Sequence, residues 1–285
     1  MTFHGVRGST PCHGAEVARY GGNTSCVSLD LPGEEPVLFD LGTGLRYFGA
    51  TLPTDRPFRG TCLLSHLHWD HIQGMPFFPP MLRGDAEFTV YAPRQDDGTS
   101  AEDVFRDTVR PPLFPVDLLT LPGTLHFRDV LDSEFTIGAN GGVSVTSRRI
   151  PHVGTTLGFR VEWRGLAIAY LSDHQQPCDG SFSATEGALE LCRDADLVIH
   201  DAQYTPDEFA DKCDWGHCTI DYAVWLAAEA GATRLALFHH DPSHDDDRLD
   251  ELAAEAALVG ERSGLSVFAA REGQTVAVGD PVSTR

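Results

Sequence analysis

The stretch Ser65-His66-Leu67-His68-Trp69-Asp70-His71 is the most distinctive chemical pattern in this sequence of 285 residues. Three imidazoles and one carboxylate fall within positions 66–71. Residues 61–65 form an apolar run typical of a buried strand, and residues 70–73 begin a helical pattern. Imidazole is the commonest protein metal ligand, and so many polar groups beside a buried strand need a partner. The pattern therefore predicts a metal site at the C-terminal end of a strand.

The spacing within this motif predicts two ions. Residues two apart in an extended segment face the same side, so His66 and His68 can converge on one ion. Asp70 and His71 lie on the following turn and can reach a second ion. A single histidine in a loop usually makes only ordinary hydrogen bonds, but this explanation does not suit such a dense group of ligand-type side chains.

Strand-type runs and amphipathic helices surround the motif and predict an α/β chain with two strand-rich halves. The predicted strands lie at residues 2–6, 25–31, 37–40, 61–65, 134–137, 143–150, 155–163, 166–171, 197–200, 234–238 and 265–269. Residues 219–230 and 248–259 are apolar along one side and should form helices that pack on a sheet. We expect one domain over residues 1–285, with an insert around residues 75–115 that overhangs the site and contains a helix at 100–109.

Composition favours a small substrate. The chain has 42 Asp and Glu against 21 Lys and Arg, and its formal net charge is −21. This charge repels polyanions and argues against extended contacts with DNA or RNA. Two divalent cations would add about four positive charges where a substrate binds, so a phosphate ester is compatible with the charge.

The cysteines and the N-terminus predict a cytoplasmic protein. The seven cysteines form no C-x-x-C pair, which indicates neither a disulfide framework nor a zinc ribbon. Residues 1–10 lack the apolar segment of a signal peptide, and the apolar runs are too short to span a membrane. No membrane partner is therefore expected.

The H-x-H-x-D-H motif resembles the signature of the metallo-β-lactamase superfamily, whose fold is a four-layer αββα sandwich. The resemblance covers nearly the whole chain. The segments Gly5-Val6-Arg7-Gly8-Ser9, Tyr20-Gly21-Gly22-Asn23-Thr24-Ser25 and Leu38-Phe39-Asp40-Leu41-Gly42-Thr43-Gly44 are similar to the branch that contains ribonuclease Z and the small cyclic-phosphodiester hydrolases. The resemblance to this family implies a metal-dependent hydrolase. Membership of the family would also lead us to expect a homodimer.

The resemblance also implies the remaining metal ligands. His152 matches the third histidine on the first ion, beside His66 and His68. Asp173, in Tyr170-Leu171-Ser172-Asp173, matches the carboxylate that bridges both ions. The second ion, held by Asp70 and His71, takes its last histidine from Leu237-Phe238-His239-His240, where strand-end register favours His239 over His240.

Two further motifs resemble ribonuclease Z, which carries His-Glu-Ala and Gly-His-Ser-Thr where this chain has His200-Asp201-Ala202-Gln203 and Gly216-His217-Cys218-Thr219. The resemblance implies that Asp201 orients His217. A histidine held in this way can protonate a leaving alkoxide. The aspartate is one methylene shorter than the glutamate it replaces, which puts the pairing geometry in question. No Gly-Pro-rich basic arm is present, so a transfer-RNA substrate is not expected.

Together these features predict a dinuclear phosphodiesterase for a small or cyclic phosphodiester, such as a cyclic nucleotide. Asp70 would also orient or deprotonate the attacking water. Histidine-rich ligation suits Zn²⁺, while Mn²⁺ or Fe²⁺ remain alternatives. The alternative functions are hydrolysis of a lactone, thioester or β-lactam, and a non-catalytic metal-binding or sensing role. Trp69 and the Phe77-Phe78 pair are interpreted as cover that excludes water, with stacking on a base as the alternative.

Overall fold

Two β-sheets face each other in the computed structural model, which describes residues 1–138 and 141–279. The first sheet contains, in spatial order, β1 (Thr2–Gly5), β2 (Cys26–Leu29), β3 (Val37–Phe39), β4 (Arg59–Leu63), β5 (Glu87–Pro93) and β6 (Thr124–Val130). The second contains, also in spatial order, β7 (Ser133–Ile137), β8 (Val143–Arg149), β9 (Leu157–Trp163), β10 (Leu166–Leu171), β11 (Leu197–Asp201), β12 (Arg234–Phe238) and β13 (Ser266–Ala269). The α-helices of the described residues are α1 (Leu45–Thr51), α2 (Trp69–Ile72), α3 (Ala101–Thr108), α4 (Glu186–Cys192), α5 (Pro206–Lys212), α6 (Ile220–Glu229) and α7 (Asp246–Glu261).

In each sheet, the strands that precede the histidines and aspartates of interest run in the same direction, so their C-terminal ends lie at one edge. Strands β3 to β6 are parallel, whereas β1, β2 and β3 pair antiparallel. Strands β10 to β13 are parallel, and β7 to β10 pair antiparallel. Because β8 and β10 are both antiparallel to β9, they run in the same direction and end at the same edge.

Apolar clusters fill the three interfaces between the four layers of the fold, which are helices, two sheets and helices. Between the sheets, the rings of Phe39 and Tyr170 stack with centroids 4.5 Å apart. A second apolar cluster, which includes Phe48 and Phe88, lies between the first sheet and its helices. A third, which includes Leu226, joins the second sheet to α4, α6 and α7. This arrangement is the predicted four-layer αββα sandwich, and the fold class is confirmed.

The helices predicted at residues 219–230 and 248–259 are α6 and α7. Each begins at a side-chain cap: Thr219 Oγ1 accepts from the backbone N–H of Tyr222, and Asp245 accepts from that of Arg248. None of the helices in the described part of the chain is long and apolar enough to cross a bilayer.

The stretch 75–115 is only partly irregular. It contains α3, close to the predicted helix, and also β5, which lies inside the first sheet between β4 and β6. Neither β5 nor β6 is among the predicted strands. Strand β6 lacks a clean alternation of apolar side chains, whereas β5 does alternate, with Phe88, Val90 and Ala92 buried. The placement of the remaining residues of this stretch above the site stays a prediction.

Candidate metal centre

The candidate metal centre lies where strands of both sheets end. His66 and His68 follow β4, and Asp70 and His71 lie on the short helix α2. From the second sheet, His152 follows β8, Asp173 follows β10 and His239 follows β12. The structure brings all seven of these predicted ligands together.

The first group of ligand atoms contains three imidazoles and a carboxylate. The donor atoms of His66, His68, His152 and Asp173 all lie within 4.8 Å of one another. His152 Nε2 is 3.1 Å from His68 Nδ1 and 3.6 Å from Asp173 Oδ2, and His66 Nε2 is 3.7 Å from the same oxygen. Donors that share a tetrahedral ion at about 2.1 Å are separated by about 3.4 Å, so these distances suit one ion.

The second group contains Asp70, His71 and His239. Asp70 Oδ2 is 3.2 Å from the Nε2 atoms of both histidines. Asp173 Oδ1 lies 3.1 Å from His71 Nε2 and 3.4 Å from His239 Nε2, whereas its Oδ2 faces the first group. One carboxylate therefore touches both groups, as a bridging ligand must. His240 points away, and its Nε2 bonds to the backbone oxygen of Ala270 at 3.0 Å.

Buried atoms without hydrogen bonds show that this donor set fits divalent ions. His66 Nε2, His71 Nε2 and Asp173 Oδ1 are buried and make no hydrogen bond of good geometry with any described residue. Leaving such groups unsatisfied costs about 1–3 kcal/mol each. A cation bound between them would satisfy all three, so the cluster is capable of holding divalent metal ions.

The electrostatics of the cluster also suit a cation. Burial and the neighbouring His71 lower the pKa of His66 well below its usual value, which keeps a lone pair available. Burial would raise the pKa of Asp173, but His239 and His71 lower it well below its usual value. Conversely, Asp173 and Asp70 raise the pKa of His71 despite its burial. Without metal, a proton on His71 offsets the carboxylates, and a bound cation would replace that proton.

Each buried imidazole is held through its second nitrogen. His66 Nδ1 contacts Ser65 Oγ at 2.9 Å, His71 Nδ1 contacts Asp40 Oδ2 at 2.7 Å, His152 Nδ1 contacts the Gly216 carbonyl at 2.6 Å, and His239 Nδ1 contacts Gln203 Oε1 at 2.8 Å. Such partners fix the ring orientation and the tautomer that presents the other nitrogen to a metal. The sequence alone does not identify these supports: Asp40, Gly216 and Gln203 act through contacts distant in sequence, and Ser65 is an ordinary serine at a strand end.

Asp40 is the most connected of these supports. It directly follows β3 with φ +58° and is fully buried. Its Oδ1 accepts from the Ser65 backbone N–H at 2.7 Å, and its Oδ2 accepts from Tyr170 Oη at 2.6 Å. An aspartate at a strand end before a Gly-rich turn was the available sequence signal. Asp40 thus ties the first sheet, the His66–His71 motif and the second sheet together.

The predicted acid pair is also assembled. Asp201 is the last residue of β11, and its Oδ2 lies 2.8 Å from Nδ1 of His217. The aspartate therefore reaches the imidazole despite its shorter side chain. Burial lowers the pKa of His217, but Asp201 raises it above its ordinary value. Cys218, which stands at the serine position, donates its thiol to the Asp201 carbonyl at 3.1 Å.

His217 also lies close to the metal ligands. Its Nδ1 is 3.8 Å from Asp173 Oδ2, and its ring stacks on His239 with centroids 5.0 Å apart. Asp173, His217 and His239 form a third group whose donor atoms lie within 4.8 Å of one another. The geometry thus gives His217 two possible uses, as a proton donor and as a metal ligand.

Comparisons with known proteins agree with this architecture. The model of the Beta-lactamase superfamily domain matches residues 37–240. The chain is 27% identical to ribonuclease Z of Geobacillus kaustophilus, across 89% of this chain and 94% of that protein. Among solved structures, the metallo-β-lactamase fold protein YhfI from Bacillus subtilis matches with a TM-score of 0.71 and 22% identity, across 96% of each chain. The short form of human tRNase Z matches with a TM-score of 0.68 and 20% identity, across 98% of this chain and 99% of that one. The chain therefore belongs to the β-lactamase superfamily and is a metal-dependent hydrolase of the metallo-β-lactamase fold.

Proposed function

We propose that this hydrolase is a phosphodiesterase that acts on a small or cyclic phosphodiester, such as a cyclic nucleotide. The observation that carries the proposal is the 2.8 Å contact between His217 and Asp201, made directly beside the Asp173 carboxylate that touches both ligand groups. Cleavage of a phosphodiester releases an alkoxide, which needs a proton. A histidine fixed beside the reacting position supports that chemistry.

In this proposal one ion would be held by His66, His68 and His152, the other would be held by Asp70, His71 and His239, and Asp173 would contribute to both. The histidine-rich donor set favours Zn²⁺, with Mn²⁺ or Fe²⁺ as alternatives. When bound, two such ions supply an activated water and stabilise negative charge on the phosphoryl oxygens.

The protein's own groups complete the reaction. Asp70 Oδ2 accepts from the backbone N–H of Ser9 at 2.8 Å, which holds the carboxylate in place to orient the attacking water and take up its proton. Asp201 fixes Nδ1 of His217, so that Nε2 is free to donate to the leaving oxygen. Both groups are buried, which limits competition from bulk water.

The choice of a small substrate follows from charge. The name ribonuclease Z says that the relatives cleave RNA, and this supports phosphodiester chemistry here. A net charge of −21 opposes a long polyanion, which would need many cationic contacts along its backbone. We therefore favour a diester that places one phosphate, rather than many, against the protein.

The test is a hydrolysis panel on metal-analysed protein, before and after chelation and with Zn²⁺ or Mn²⁺ restored. The substrates are bis(p-nitrophenyl) phosphate, cyclic nucleotides, a precursor transfer RNA, p-nitrophenyl acetate and a lactam. Chelator-sensitive cleavage of the diesters, with about two metals per chain, is expected. Cleavage of acyl substrates alone would assign the chain to the carbonyl hydrolases. Bound metal without turnover would indicate a sensing role.

The role of His217 is tested by its alanine variant. His217→Ala should lower diester turnover by about 10²–10⁴-fold while the metal content stays at the wild-type level. His126→Ala is the matched control, because this half-exposed histidine on β6 contacts only Glu87 among charged groups of the described chain, at 3.5 Å. Loss of one metal in the His217 variant would instead make this residue a ligand.

A further inference from the structure

Three exposed apolar residues are neighbours in the chain of residues that form the metal centre. Trp69, Val153 and Trp215 expose 56%, 51% and 61% of their surface. Trp69 separates the ligands His68 and Asp70, and Val153 directly follows His152. Trp69 therefore stands out into solvent and does not form the expected cover. Exposed apolar groups concentrated at a polar site commonly mark a binding surface.

A row of contacts joins the two chain segments that carry the tryptophans. The rings of His68 and His152 have centroids 4.9 Å apart. Nδ1 of His152 contacts the carbonyl of Gly216 at 2.6 Å, and Trp215 is the residue before this glycine. Trp69 adjoins His68 at the other end. The first ligand group is thus flanked in the chain by one exposed tryptophan from each half of the fold.

The Trp215 ring lies next to the ammonium group of Lys212. The ammonium of Lys212 lies 5.7 Å from the Trp215 ring and 4.8 Å from the Tyr204 ring, within the range of cation–π attraction. Lys212 is also 3.4 Å from Oδ2 of Asp241, which fixes its head group. The Tyr204 ring meets His217 edge-on at 5.7 Å. This series of contacts links the exposed indole, through Lys212 and Tyr204, to the proposed proton donor.

We propose that Trp69 and Trp215 form a stacking subsite for a flat aromatic group next to the reacting phosphate. The substrate class is then a nucleoside phosphodiester rather than a diester of a sugar, glycerol or polyphosphate. This inference rests on the proposed phosphodiesterase function. Stacking recognises every nucleobase through its π-face and needs no cationic surface, which agrees with the acidic composition of the chain.

The test compares two substrates with the same reacting ring: 2′,3′-cyclic AMP, and 1-O-methylribose 2′,3′-cyclic phosphate, which lacks the base. Trp69→Ala and Trp215→Ala should each lower kcat/KM for the nucleotide by about 5- to 150-fold and leave the base-free substrate unchanged. Phe182→Ala is the control, since this aromatic is 46% exposed but packs on Trp225, away from the ligands. Equal changes for both substrates, or none for the nucleotide, would overturn the subsite.

A binding measurement separates this inference from the proposed activity. The wild-type protein should bind AMP more tightly than ribose 5-phosphate, with quenching of tryptophan fluorescence, and both tryptophan variants should lose the difference. If the preference for AMP is found but no diester is cleaved, the subsite stands and the phosphodiesterase proposal fails. If diesters are cleaved but AMP and ribose 5-phosphate bind equally, the subsite is wrong and the activity stands.

Discussion

Replacing Gly216 by alanine should weaken metal binding, because the added Cβ would displace the imidazole of His152. Gly216 has φ +95°, and a Cβ built on it would lie 2.4 Å from Nδ1 and 2.5 Å from Cε1 of His152. Ordinary contact begins at 3.4 Å, so the imidazole or the loop must move by 3.4 − 2.4 = 1.0 Å. This movement breaks the 2.6 Å contact that fixes the ring.

The size of the effect follows from two separate costs. The left-handed backbone conformation costs alanine about 1–2 kcal/mol in stability. Loss of an outer partner of a metal-binding histidine typically weakens metal affinity about 10- to 100-fold, or about 1.4–2.7 kcal/mol. Gly165→Ala separates the two, because Gly165, in the turn between β9 and β10, has φ +79° but no atom within 4 Å of its Cβ position. Both variants carry the backbone cost, and only Gly216→Ala displaces His152.

The assay is a zinc titration against a competing chelator, with metals per chain counted after dialysis and urea unfolding measured in parallel. We expect similar losses of stability in both variants. Weaker binding at one of two sites should appear in Gly216→Ala only. Equal zinc affinity in the two variants would refute the reasoning, because the displaced imidazole would then not contribute to metal binding.

Three further changes test other parts of the structure. Asp201→Asn preserves the shape of the buried side chain but removes the charge beside His217. It should lower kcat by about 10- to 150-fold with the metal content unchanged. A rate close to wild type would exclude Asp201 as the orienting group. Asp40→Ala leaves the buried His71 Nδ1 and Tyr170 hydroxyl unpaired. It should lower the free energy of unfolding, measured in urea, by about 3–5 kcal/mol, against about 1 kcal/mol for Tyr170→Phe. Similar losses in the two variants would contradict the central position of Asp40. Burial lowers the pKa of His4 from 6.5 to about 4, so the unfolded chain takes up this proton first and stability falls as the pH drops from about 6.5 to 4. His152 and His240 contribute in the same window, because burial lowers their pKa values to about 4 and about 3. His4→Gln should therefore reduce the slope of the urea stability profile there, and an unchanged slope would show that His4 does not contribute.

The features that could be predicted from sequence are those set by local pattern. The motif at residues 66–71 follows a buried strand, and strand-end register favours His239, which the structure places 3.2 Å from Asp70 Oδ2, whereas His240 bonds to the Ala270 carbonyl. The periodic helices α6 and α7 begin within about two residues of their predicted starts. In these cases the decisive information lies within one strand or one helix.

Other features depend on residues that meet only in the fold. Gly216 has a local conformation that any turn could require, and its role is visible only through His152, 64 positions earlier. Gln203 is an ordinary polar residue after β11 until β12 places His239 beside it. Strand β5 carries a local alternation of Phe88, Val90 and Ala92, but β6 is recognised only by its pairing with β5. Distant pairing of this kind leaves little trace in a single sequence.

The predicted ligands come from distant parts of the chain, so the metal centre connects the half of the fold that contains the first sheet to the half that contains the second. His66 and His239 are separated by 173 positions, and each ligand group combines side chains from the first and the second sheet. Bringing such distant segments together carries the entropy of closing a long loop, and the ligand set is complete only when both sheets are in place. Ions held there would act as a cross-link at one edge of the sandwich. Metal occupancy would then report that both halves have folded and docked.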